Sequence, residues 1–158
     1  MPESLNKIYG NRVRTRACGI CIKEEKLLMV NHKNLTSGDF WAPPGGGIEM
    51  NETAHDTLER EFREETNLTI TVGELLFVTE YYNQPLHAVE LFFRVNWVKG
   101  ALETGTDPEM KYDDQIISDA QFLSWVEISK IDQKNLHGVF KYATEPSKII
   151  DLRGYFKL

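Results

Sequence analysis

"PPGGGIEMNETAHDTLEREFREETNL", residues 43–68, passes from three consecutive glycines into a segment crowded with carboxylates and two arginines. At about 100° of rotation per residue, a helix from Thr53 to Thr66 resolves into stripes. Ala54, Leu58 and Phe62 form an apolar stripe fit to pack on a sheet, and Glu52, Asp56, Glu59 and Arg63 lie on the solvated side. Glu61, Glu64 and Glu65 fall within an arc of about 100° that borders the apolar stripe. Glu61 and Glu65 form an i, i+4 like-charge pair, which disfavours an isolated helix by roughly 0.2–0.5 kcal/mol, and Glu64 adds to the repulsion.

Acidic surface helices are common, and Glu59/Arg63 and Asp56/Arg60 have the spacing of ordinary salt pairs. Carboxylates at the edge of a core, with Arg60 alone nearby, instead call for a cation. Hard ions with oxygen ligands, Mg²⁺ or Mn²⁺, suit such a cluster and in turn hold phosphate oxygens. Gly45, Gly46 and Gly47 let the backbone approach a ligand closely, exposing carbonyls or amides on the way into the helix. Together the two halves describe a cradle for a metal and a diphosphate.

A chain of 158 residues, 41% hydrophobic and 27% charged, fits one domain spanning 1–158. The net charge of −6 gives no global field toward nucleic acid or an anionic membrane, so an anionic ligand would need a metal ion to help hold it. No apolar run approaches the roughly 20 residues of a membrane span, and the N-terminus lacks the apolar core of a signal peptide, so a soluble, cytoplasmic protein is expected. Cys18 and Cys21 in "ACGIC" lie an odd number of positions apart on a strand. They then point to opposite faces and cannot chelate one ion.

Alternation predicts strands at 13–22, 26–32, 69–82 (broken around Gly73), 87–98 and 121–126. A second helix is expected to start near Glu127, limited by Pro146. The polar stretch "GALETGTDPEMKYDDQ" reads as a long loop.

The segment resembles the Nudix box: Gly46, Glu52, Arg60, Glu61, Phe62, Glu64, Glu65 and Leu68 occupy its positions. Asn67 replaces the last glycine, in a left-handed position that Asn tolerates best after Gly. "FWAPPGGGIE" before it and "FLSWVEISKI" near the C-terminus are also similar to the family. The resemblance implies an α/β fold, an α/β/α sandwich with a mixed sheet. It further implies a MutT-like, metal-dependent hydrolase cutting a diphosphate linkage in a nucleoside diphosphate joined to another group, such as a nucleotide sugar, ADP-ribose, an NTP or a dinucleotide. Glu61, Glu64 and Glu65 would bind Mg²⁺ or Mn²⁺ with the Gly45 carbonyl, Arg60 would orient the glutamates, and Glu52 would support them from outside. A Nudix-like module that binds a nucleotide metabolite without cutting it is the alternative. A homodimer is left open.

Arg12, Arg14 and Arg16 alternate and share a strand face, either gripping phosphates or simply solvated. Glu90 either lines the site or pairs with Arg94 at i+4, and Trp41 or Phe40 could stack on a base while Trp125 reads as core. A catalytic base is expected from the long loop, with Glu109 and Asp119 ahead of Asp113 and Asp114. Markers of substrate subgroups do not fit; Pro85 is not at the usual offset for an ADP-ribose-type proline.

Overall fold

In a computed structural model, which describes residues 7, 10–33, 38–103 and 117–158, the chain builds two sheets with helical layers around them. The strands are β1 (Val13–Ile20), β2 (Ile22–Lys23), β3 (Lys26–His32), β4 (Trp41–Ala42), β5 (Gly45–Gly47), β6 (Thr69–Asn83), β7 (Leu86–Lys99), β8 (Ile117–Ser124) and β9 (Gly154–Lys157); the helices are α1 (Ala54–Thr66) and α2 (Trp125–Ser129). The larger sheet runs β5-β1-β7-β6-β9 and is mixed: β1–β7 and β6–β9 are parallel, β1–β5 and β6–β7 antiparallel. The second sheet centres on β3, which pairs with β2, β4 and β8.

Side-chain alternation along β1 divides the core in two. Ala17 and Cys21 join Leu58, Phe62, Phe93 and Val95 under α1, whereas Cys18 and Ile20 join Phe77, Phe92, Val139 and Phe140 under the C-terminal segment. The cysteines therefore lie on opposite faces, both buried and unpaired as disulfides, as the odd spacing requires. With α1 on one face of the larger sheet and the C-terminal segment on the other, the α/β/α sandwich is in place.

Helix α1 starts on a capping box: the Thr53 hydroxyl accepts from Asp56 N–H while the Asp56 carboxylate accepts from Thr53 N–H. It ends at Asn67 in the left-handed conformation, φ 63°, the role foreseen for the residue replacing glycine. The second helix departs from expectation. It begins at Trp125, capped by Ser124, and lasts five residues, after which the chain continues as 3-10 turns at Gln133–Asn135, Gly138–Tyr142 and Pro146–Asp151. The break expected around Gly73 is a shift of register between Val72 and Leu75 within a continuous β6. Among the described residues no helix is long and apolar enough to cross a membrane.

Candidate active site

The three glycines form an edge strand of the larger sheet. Gly45, Gly46 and Gly47 pair with Cys18, Ala17 and Arg16 on β1. A Cβ at Gly45 would lie 2.4 Å from the Ala17 carbonyl oxygen, and one at Gly46 would lie 2.2 Å from Glu61 Oε1. Missing side chains are thus what lets α1 lay its acidic edge on the backbone of β5. Glu65, 1% exposed, accepts from Gly45 N–H at 3.0 Å.

Arg60 occupies the middle of the carboxylates. Its guanidinium donates to both oxygens of Glu52 (2.8 and 3.2 Å), to Glu61 Oε1 (2.9 Å), to Glu64 Oε2 (3.3 Å) and to the Gly47 carbonyl (3.3 Å). Arg60 therefore turns to the box glutamates and not to Asp56, whose carboxylate is taken by the cap. Glu52 is not on a solvated side either: it also accepts from the Thr57 hydroxyl and Glu49 N–H, and Arg60 beside it holds its carboxyl down at about 2. Glu61 behaves oppositely. Burial first, with Glu64 adding to it against the pull of Arg60, pushes its carboxyl up to about 7.

This donor set fits a divalent cation. It is all oxygen, the lack of side chains on the glycines lets it lie against their backbone, and burial pushes one of its carboxyls up to about 7, where a bound cation would favour the charged form. Among the described residues no three such groups already converge at metal-ligand spacing. Arg60 stands between Glu61 and Glu64 in the manner of a counter-ion, so ligation requires those two side chains to turn from it.

The arginines of the first strand part company. Arg12 and Arg14 open onto a shallow cleft with Gly47, Glu49 and Met50, whose lining includes none of Glu61, Glu64 and Glu65. Arg16 is not on a solvated face: Nη1 donates to Glu90 Oε2 at 2.6 Å and Nη2 to the Gly45 carbonyl at 3.4 Å. Glu90, 3% exposed, also accepts from Thr79 Oγ1 and His137 Nε2. Its partners are therefore Arg16 and His137 in place of Arg94, which reaches Glu74 instead. Burial opposes the charge on Glu90, but His137 and Arg16 outweigh it and hold the carboxyl below the usual range. Burial and the charge of Arg16 press the nearby His32 down to about 3, leaving it neutral.

Trp41 is half-buried against the core under the C-terminal segment, its carbonyl accepting from His137 N–H at 2.9 Å, and Trp125 packs against the same core. Phe40 faces the His137 ring at 6.4 Å. Asp119 sits on β8 opposite Asn31, its carboxylate accepting from the Gln121 amide. Glu109, Asp113 and Asp114 lie outside the described residues. Sequence reasoning missed His137 and Thr79, which come to Glu90 from distant segments with no local pattern to announce them.

The family model described as NUDIX domain matches residues 13–144. An ADP-ribose pyrophosphatase of Methanocaldococcus jannaschii is 34% identical over 94 residues, 56% of this chain and 54% of that protein, so the match spans about half of that relative. An 8-oxo-dGTP diphosphatase of Proteus vulgaris is 32% identical over 88 residues, 54% of this chain and 79% of the relative. Among solved structures, a MutT protein from Methanosarcina mazei aligns over 82% of this chain and 88% of its own with a TM-score of 0.64 at 18% identity, a likeness of fold.

Proposed function

The chain belongs to the Nudix family, and from that premise we propose that it is a divalent-cation-dependent hydrolase cutting a diphosphate linkage in a nucleoside diphosphate that carries a further group. The observation that carries this reading is the packing of Glu61 on Gly46 and of Glu65 on the Gly45 amide, with Glu64 one turn from Arg60. Glu61, Glu64, Glu65 and the Gly45 carbonyl are the proposed ligands of Mg²⁺ or Mn²⁺. Bound there, the ion would neutralise the diphosphate, polarise phosphorus and lower the pKa of the attacking water.

The chain's own residues supply the rest. Arg60 keeps the carboxylates from repelling one another before the cation arrives and keeps Glu52 and the Gly47 carbonyl in register with them. Arg14, which shares a cleft with Gly47, would meet the phosphates of an entering substrate. A proton must leave the attacking water, and carboxylates committed to a cation are poor acceptors, so Glu109 and Asp119 remain the proposed bases. Replacing each by Gln or Asn should remove the acidic limb of the pH–rate profile in one of the two. Unchanged profiles in both, and in Asp113→Asn and Asp114→Asn, would return the role to Glu61 or another box residue.

Two relatives named for ADP-ribose and 8-oxo-dGTP put those compounds at the head of a substrate panel with nucleotide sugars and dinucleoside polyphosphates. Release of a mononucleotide from at least one of them, with Mg²⁺ and not with chelator, is the expected result. No cleavage anywhere would leave a nucleotide-binding module as the surviving reading.

A further inference from the structure

Glu90 is a charged residue buried in the larger sheet on the side of the β1–β7 layer opposite to α1, yet it is connected to the carboxylate site by an unbroken series of polar contacts. His137, in the C-terminal segment, accepts from Val139 N–H through Nδ1 at 3.1 Å, so its Nε2 carries the proton and donates to Glu90 Oε1 at 2.7 Å. Thr79 on β6 donates to the same oxygen at 3.1 Å. Arg16 holds the other oxygen at 2.6 Å and reaches the Gly45 carbonyl with its second nitrogen. Gly45 N–H in turn meets Glu65 at 3.0 Å. Residues from β1, β6 and β7, the C-terminal segment and α1 thus converge on Gly45, whose carbonyl and N–H belong to the two peptide units flanking its Cα.

Gly45 belongs to an edge strand three residues long that is paired with β1 on one side only and has no side chains of its own to brace its open edge. A carbonyl oxygen has two lone pairs, and Arg16 engages it from one side, leaving a lone pair for another partner. Placing an ion pair in the sheet core costs desolvation that well-packed apolar residues would avoid, so packing alone does not account for Glu90.

We infer that Glu90 is a positioning residue for the cation site: with His137 and Thr79 it fixes Arg16, and Arg16 helps set the backbone of Gly45, whose carbonyl faces the cation and whose N–H holds Glu65. The inference rests on the cation-site reading proposed above. Partners outside the ligand set typically alter metal affinity by about 10–100-fold when removed.

The test is Mn²⁺ binding to the full chain, measured by the electron paramagnetic resonance of free Mn²⁺ without substrate, alongside melting temperature. Glu90→Gln and Arg16→Gln should each weaken binding by about tenfold or more, and the double variant should lose no more than the larger single loss, because both act through one contact. Should Glu90→Gln fail to fold, His137→Gln, which removes the far end of the series, is expected to weaken binding in the same direction. Variants that melt earlier but bind Mn²⁺ with wild-type affinity would assign the network to stability alone and overturn the inference. Losses that multiply in the double variant would also overturn it. A wild-type chain that binds no Mn²⁺ would instead overturn the cation-site reading itself.

Discussion

At the scale of single residues, Glu61 is where the absence of a cation should be most measurable. Its carboxyl stands at about 7 in the folded chain against an ordinary value of 4.5. Between those values the folded chain keeps a proton that the unfolded chain has released, so this group's contribution to stability is complete below pH 4.5 and is lost as pH rises toward 7. Melting of the chelated protein across that window should therefore fall more steeply with pH in the wild type than in Glu61→Gln. Equal slopes would contradict the assignment. A cation competes with that proton, so the stabilisation by Mg²⁺ should grow as pH rises through 7. The helical arc and its bordering of the core were legible in the sequence because they depend only on the 3.6-residue period. What each side chain touches was not: Glu52 has a guanidinium and a hydroxyl as partners, and Glu65 supports the edge strand as well as the acidic cluster.

Elements were legible in proportion to their periodicity. Helix α1 carries an amphipathic stripe with Phe62 and Leu58 wholly buried, and it lies within one residue of where the sequence places it. Phe62→Ala should cost about 3–5 kcal/mol, read from denaturant unfolding. The 3-10 turns at Gln133–Asn135 and Gly138–Tyr142 stand where the sequence predicts the continuation of a second helix, and β5 has no side chains from which alternation could be read. That same strand yields a paired prediction. Gly45→Ala forces a methyl onto the backbone of β1 and should lower stability by about 1–3 kcal/mol. Gly46→Ala meets only the flexible end of Glu61, so the fold should survive while misplacement of the carboxylate lowers the rate by about 10²-fold. Parallel losses of stability and rate in both variants would mean that β5 serves the fold alone.

For the molecule as a whole, a sheet between α1 and the C-terminal segment places the acidic edge of α1 at the open side of β5, with two arginines on the adjoining cleft. The chain's net charge of −6 opposes anionic substrates, so the cation must do locally what the global field does not. By linkage, Mg²⁺ at 100 times its dissociation constant should stabilise the fold by about 2.7 kcal/mol, a rise of about 5–10 °C in melting temperature for a domain of this size. Glu61→Gln with Glu64→Gln should abolish that rise. The most direct test of the central claim is the Mg²⁺ titration of hydrolysis in the wild type and in Glu64→Gln, using whichever diphosphate of the panel is cut. The account predicts no turnover without the ion, and in the variant a rate at least about 10²-fold lower with half-activation moved to higher Mg²⁺. Superimposable titration curves, or undiminished hydrolysis in chelator, would contradict it.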